Sequence, residues 1–138
     1  MRLGCLLDHN GTLNIGDIGI SKRIEAKPLI DFQYSSPEVL GVDIKREVLK
    51  KADVWSLGVV ILELCYFDSK LLNVSLPKDQ LQERLNGFFG NLQGKYHLRY
   101  MSLLQRILSL NPEERLDIGL IKSELEQNFS EILVSRPL

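Results

Sequence analysis

Residues 53–67 read DVWSLGVVILELCYF. This is the longest apolar stretch of the chain, and it contains Ser56 and Glu63. It is long for a strand and too short to span a bilayer. On a helical wheel the apolar side chains fall on every side, the signature of a helix buried in the centre of a domain. Gly58 and the β-branched residues lower its intrinsic helix propensity, so burial must supply the stability. The competing reading of the same run is a pair of core strands.

Upstream, LGCLL (3–7) and LNI (13–15) flank Asn10-Gly11. Asn-Gly between two apolar runs signals a hairpin with a type I′ turn, Leu3–Leu7 paired with Leu13–Ile15. Gly16 and Gly19 then break regular structure around Asp17. Asp17 reads either as a loop residue or as a metal-ligating carboxylate on a hinge. Pro28 interrupts the mixed segment 21–33. Ser35-Ser36-Pro37-Glu38 has the serine cap, proline and first-turn acid of a short helix ending near Gly41.

Downstream, Pro77–Leu85 reads as an amphipathic helix ended by Gly87, with Gly87–Tyr96 as loop. His97–Leu110 carries Leu98, Met101, Leu104, Ile107 and Leu108 at helical spacing, and Asn111-Pro112 ends it. A last helix starts near Asp117 with Ile118, Ile121, Leu125 and Phe129 in one stripe. The tail SRPL is expected to fray.

The chain has 138 residues, 44% hydrophobic and 25% charged, with net charge −1. That is ordinary for one soluble globular domain. The near-zero charge gives no reason to expect nucleic acid or an anionic membrane as partner. Cys5 and Cys65 each lie in an apolar run and read as free thiols of a reducing compartment. His9 and His97 are far apart with no Cys-x-x-Cys beside them, which argues against zinc. The N-terminus is too weakly apolar for a signal peptide. The expected location is cytoplasmic or nuclear.

Four short signals stand in order: Gly16-Asp17-Ile18-Gly19, Ser36-Pro37-Glu38, Asp53-Val54-Trp55-Ser56-Leu57-Gly58 and Asn111-Pro112-Glu113-Glu114-Arg115. Together they resemble the C-terminal lobe of a eukaryotic-type Ser/Thr protein kinase, with the opening LLDHNGTLNIGDIGISK similar to NIMA-related members. The implied fold is mainly α: a kinase-like C-lobe with a short N-terminal β-hairpin and a central buried helix. Residues 1–130 would be the partial kinase domain and 131–138 a tail. By resemblance, Asp17 is the Mg²⁺ ligand of the D-F-G element and Gly19 its hinge. Ile18 stands where that element has phenylalanine. Glu38 and Arg115 would form the ion pair that anchors the activation segment. Asp53 would accept backbone N–H bonds from the catalytic loop, and Trp55 belongs to the core.

The sequence also departs from the family pattern. It contains no Gly-rich loop, no strand lysine and no H-R-D, so no catalytic base is assigned. Aligned on Leu6-Leu7-Asp8, the asparagine that holds the second metal falls on Gly4, which offers no side-chain oxygen. The threonine that precedes the Ser-Pro-Glu element by five positions is Asp31, a carboxylate facing where another carboxylate would lie. No Ser, Thr or Tyr lies between Arg23 and Gln33 to take a switching phosphate. The resemblance implies Mg²⁺ and ATP as cofactors; these departures predict that this chain alone binds neither. The expected function is that of a catalytically inactive, pseudokinase-type binding module or fragment. Its partners would be proteins, either a complementary kinase portion or a kinase substrate. The alternatives are part of an active ATP-dependent Ser/Thr kinase, and an unrelated small helical interaction protein.

Overall fold

The structure, a computed structural model, describes residues 5–15, 33–40, 46–68 and 70–134. The expectations placed on Gly4, Gly16, Asp17, Gly19 and Asp31 lie outside these residues. The chain divides into two compact units, 1–31 and 32–138, each taken here by itself.

In the first unit, β1 (Cys5–Leu7) pairs antiparallel with β2 (Leu13–Ile15), Leu6 opposite Asn14. The hairpin is present, but the turn is not type I′. That turn needs positive φ at two successive residues, and only Gly11, at φ 78°, has it. The Asp8 carboxylate decides the geometry. Its Oδ1 accepts the amides of Asn10 at 2.9 Å and Thr12 at 2.8 Å, while Gly11 N–H donates to the Asp8 carbonyl. An aspartate bonded to the backbone ahead of it builds such a turn unaided.

The second unit is helical: a 3₁₀ turn at Pro37–Leu40, then α1 (Arg46–Tyr66), α2 (Lys78–Leu92), α3 (Leu98–Ile107) and α4 (Ile118–Val134). The central segment is a helix, not a strand pair, and it begins seven residues before the apolar run. The added turns carry Lys50 and Lys51, which hid them from a reading based on apolar content. Trp55, Val59 and Leu62 share one face of α1 and pack with Leu81, Leu85, Phe89 and Leu92 of α2 and with Met101 and Leu104 of α3. Val54, on another face, joins Leu103, Ile107, Leu116 and Ile121. α3 therefore contributes to two clusters, with Leu104 facing one and Leu103 the other.

Three expectations need correction. α2 does not stop at Gly87 but runs through Gly87 and Gly90 to Leu92. Phe89 and Leu92 continue the buried spacing of Leu81 and Leu85. Burying one such side chain contributes about 1.5–3 kcal/mol, against about 1 kcal/mol lost per helical glycine. Ile118 is exposed, so the inward face of α4 is set by Ile121 and Leu125. Lastly, α1 is not buried all round: Leu64 is 65% exposed, and Phe67, just past its end, 93%.

Phe67 closes α1 in an unusual way. Its φ is 53°, in the left-handed region. Phe67 N–H donates to the Leu64 carbonyl and Asp68 N–H to the Glu63 carbonyl, the paired bonds of a Schellman cap. Glycine fits that position without the Cβ penalty. Phe67→Gly should therefore stabilise the protein by about 1 kcal/mol, read as a higher urea midpoint at unchanged slope. An unchanged midpoint would mean that the cap stores no strain.

Candidate functional site

The segment 109–115 folds on itself before it meets anything else. Asn111 Oδ1 accepts Glu113 N–H at 3.1 Å, the Asn111 carbonyl accepts the amides of Glu114 and Arg115, and Asn111 Nδ2 donates to Glu114 Oε1. Pro112 adds a fixed φ. This turn delivers Arg115 into the unit with 0% of its side chain exposed.

Arg115 meets Glu38 in a two-pronged pair: Nη1 to Oε1 at 2.5 Å and Nη2 to Oε2 at 3.0 Å. The fork geometry of guanidinium and carboxylate makes such pairs strong and directional. The remaining donors are used as well. Nε and Nη2 donate to the Ser109 carbonyl at 3.0 and 2.9 Å, and Nη1 to the Lys51 carbonyl at 2.7 Å. The guanidinium carbon sits 5.1 Å from the centre of the Trp55 ring, a cation–π contact. Burial by itself would raise the Glu38 carboxyl. The hydrogen bonds from Arg115 and from Glu38's own backbone N–H, together with the Arg115 charge, outweigh it and hold the group below its ordinary value. Ser36 is buried beside this pair, its hydroxyl without a well-formed hydrogen bond among the described residues.

Lys51 completes the clamp, and no sequence signal singled it out. Its ammonium donates to the Arg115 carbonyl and pairs with Asp117 Oδ1 at 2.7 Å, while its own carbonyl receives Arg115. Trp55 is fully buried, and its Nε1 has no hydrogen-bond partner among the described residues. Asp53 is exposed on α1 with no donor among the described residues, and partial burial pushes its carboxyl up.

A second constellation centres on Glu63, which sequence reasoning noted only as an interruption of the apolar run. Its Oε1 accepts Gln33 Nε2 at 2.7 Å and Lys70 N–H at 2.8 Å; its Oε2 accepts the Tyr34 hydroxyl at 2.9 Å. Ser56 Oγ donates to the Tyr34 carbonyl at 2.7 Å. Residues 33–34 are thus tied to α1 by side chain and backbone. Polar groups at the edge of a core are expected to be satisfied in this way.

Among the described residues no group of three or more His, Cys, Asp or Glu side chains could hold a metal ion. An open groove of about 470 Å³ between α2 and α3 is lined by Phe89, Tyr96, Leu98 and Met101 and by amide side chains, with no charged residue. No described helix is long and apolar enough to cross a membrane.

Comparison with known proteins supplies the family. The family model described as "Protein kinase domain" matches residues 5–129. The chain is 29% identical over 86% of its length to the probable serine/threonine-protein kinase MARK-C of Dictyostelium discoideum. It is 27% identical over 94% of its length to the serine/threonine-protein kinase Nek1 of Mus musculus. It is also 27% identical over 80% of its length to mitogen-activated protein kinase kinase kinase 9 of Arabidopsis thaliana. It spans 15%, 11% and 15% of those three proteins. A helical unit locked by a buried arginine–glutamate fork, in a chain matched by that model over almost its whole length, belongs to the protein kinase domain family.

Proposed function

We propose that residues 1–130 act as a non-catalytic C-lobe of the Ser/Thr kinase type, binding other proteins in the cytoplasm or nucleus. One contrast carries the proposal: the anchor that shapes the lobe is complete in Glu38, Arg115 and Lys51, whereas the position of the second metal ligand is Gly4. Phosphoryl transfer depends on positioning and charge neutralisation. A scaffold with an intact anchor and an impaired metal position keeps its shape and loses that chemistry. Asp31, in place of a threonine, works in the same direction. Asp17 would remain as the one inherited Mg²⁺ ligand, with Gly19 as its hinge.

The partner surface includes α1, where Leu49 and Leu64 are exposed and the Asp53 carboxylate is partly desolvated, with no donor among the described residues. A complementary kinase portion that supplies backbone N–H groups to Asp53 and apolar side chains to Leu64 fits this chemistry; a docked kinase substrate is the other candidate. Mg²⁺ with ATP should leave the melting temperature unchanged, because a ligand stabilises only what it binds. A clear Mg²⁺-dependent rise would overturn the non-catalytic reading and favour the alternative, part of an active ATP-dependent kinase.

A further inference from the structure

The geometry points to Tyr34 as a phosphorylation site at which a phosphate would unlock residues 33–34 from α1. Among the described residues, Glu63 is one carboxylate shared by three donors from two separate stretches of chain. They are Gln33 Nε2, Tyr34 Oη–H and the Lys70 amide, at 2.7, 2.9 and 2.8 Å. The hydroxyls of Tyr66 and Tyr96 instead donate to backbone carbonyls, of Phe88 and Cys65. A phosphate on either of those would lose one neutral bond. On Tyr34 it would remove the proton that holds Glu63 and place about −1.5 to −2 charge against a carboxylate. Repulsion at that hub strains all three links at once. The sequence places Tyr34 as the first hydroxyl after a stretch, Arg23 to Gln33, that has none.

The modifying reaction needs a tyrosine kinase acting in trans and a nucleoside triphosphate. The Tyr34 Oη forms the new bond to the γ-phosphorus, the bond to the departing nucleoside diphosphate breaks, and the phenolic proton leaves to the enzyme's base. The sense of this switch is release: among the described residues, charge is added beside the Glu63 carboxylate rather than opposite an arginine. The proposal is independent of whether the chain is catalytic.

Two measurements test it. The folded chain, incubated with a broad-specificity tyrosine kinase and ATP, should take phosphate on Tyr34. Labelling confined to other tyrosines would overturn the proposal. Chain carrying phosphotyrosine installed at position 34 during synthesis should melt roughly 5 °C lower. Its Lys70 amide should exchange about tenfold faster or more, because that amide has lost its acceptor. Tyr34→Phe should leave the Lys70 amide protected, since Glu63 keeps its other donors. Adding Glu63→Gln to the phosphorylated chain should remove most of the phosphate's extra cost. An unchanged or higher melting temperature, as when the Lys70 ammonium captures the phosphate, overturns the proposal, as does a phosphate cost that Glu63→Gln does not reduce.

Discussion

Arg115→Glu is expected to leave the helical unit largely unfolded at room temperature. Removing one partner of a buried ion pair costs about 3–5 kcal/mol, because the other charge stays buried without compensation. Reversal adds a repelled carboxylate beside Glu38 and strands the Lys51 and Ser109 carbonyls. Native domains hold only about 5–15 kcal/mol in total. Circular dichroism against urea should show a lost or greatly lowered midpoint.

The double variant Arg115→Glu with Glu38→Arg tests how much of this belongs to the pair. A simple exchange of charges suggests partial rescue. The geometry limits it, because Arg115 also bonds two backbone carbonyls and stacks on Trp55, and an arginine at 38 inherits none of these contacts. The rescue should be small but not zero. Strictly additive losses would mean that the two residues do not interact.

The same pair gives the pH dependence a sign. Glu38 is held below its ordinary value, so the folded state binds fewer protons there than the unfolded chain. Its contribution is complete above the ordinary carboxylate range and is lost as pH falls through the lowered folded value. In Glu38→Gln, that acid limb of the stability profile should flatten.

Gly58→Ala is the second large effect. A Cβ at Gly58 would lie 2.6 Å from Ile107 Cγ2 and 2.8 Å from Leu108 Cδ2. Both neighbours are almost fully buried and have little room to turn. Forcing a methyl into such a contact costs about 1–3 kcal/mol, offset in part by better helix propensity. We expect a net loss of about 1–2 kcal/mol, and a larger one for Gly58→Val. Gly87→Ala is the matched control: the same change on α2, where a Cβ meets nothing within 4 Å, should raise stability by about 0.4–1 kcal/mol. Equal responses at the two sites would refute the close approach of α1 and α3.

Gly58 also shows why some of the fold was legible in sequence and some was not. Read alone, it weakens a helix; only the partner helix shows that the position excludes a side chain. Apolar periodicity located α3 and the core of α1, because burial writes its spacing directly into composition. It stopped α2 too early at Gly87, since Phe89 and Leu92 overrule local propensity. It missed the start of α1, which bears lysines. Glu38 and Arg115 stood out only through the order of four short motifs, and nothing local links residues so far apart. Lys51 and Glu63 were not singled out, because their partners lie far off in the chain or in irregular segments: the Arg115 carbonyl and Asp117 for Lys51, and Gln33, Tyr34 and the Lys70 amide for Glu63.

The Arg115–Glu38 fork joins positions 77 residues apart in the chain. During synthesis at about 5–20 residues per second, that separation amounts to roughly 4–15 s. By its end the 3₁₀ turn and α1 have been made, while their arginine has not yet been added. A nascent chain therefore carries its central helix unanchored for seconds. Dependence on chaperones should be concentrated in that window, and a ribosomal pause just upstream of codon 115 would lengthen it.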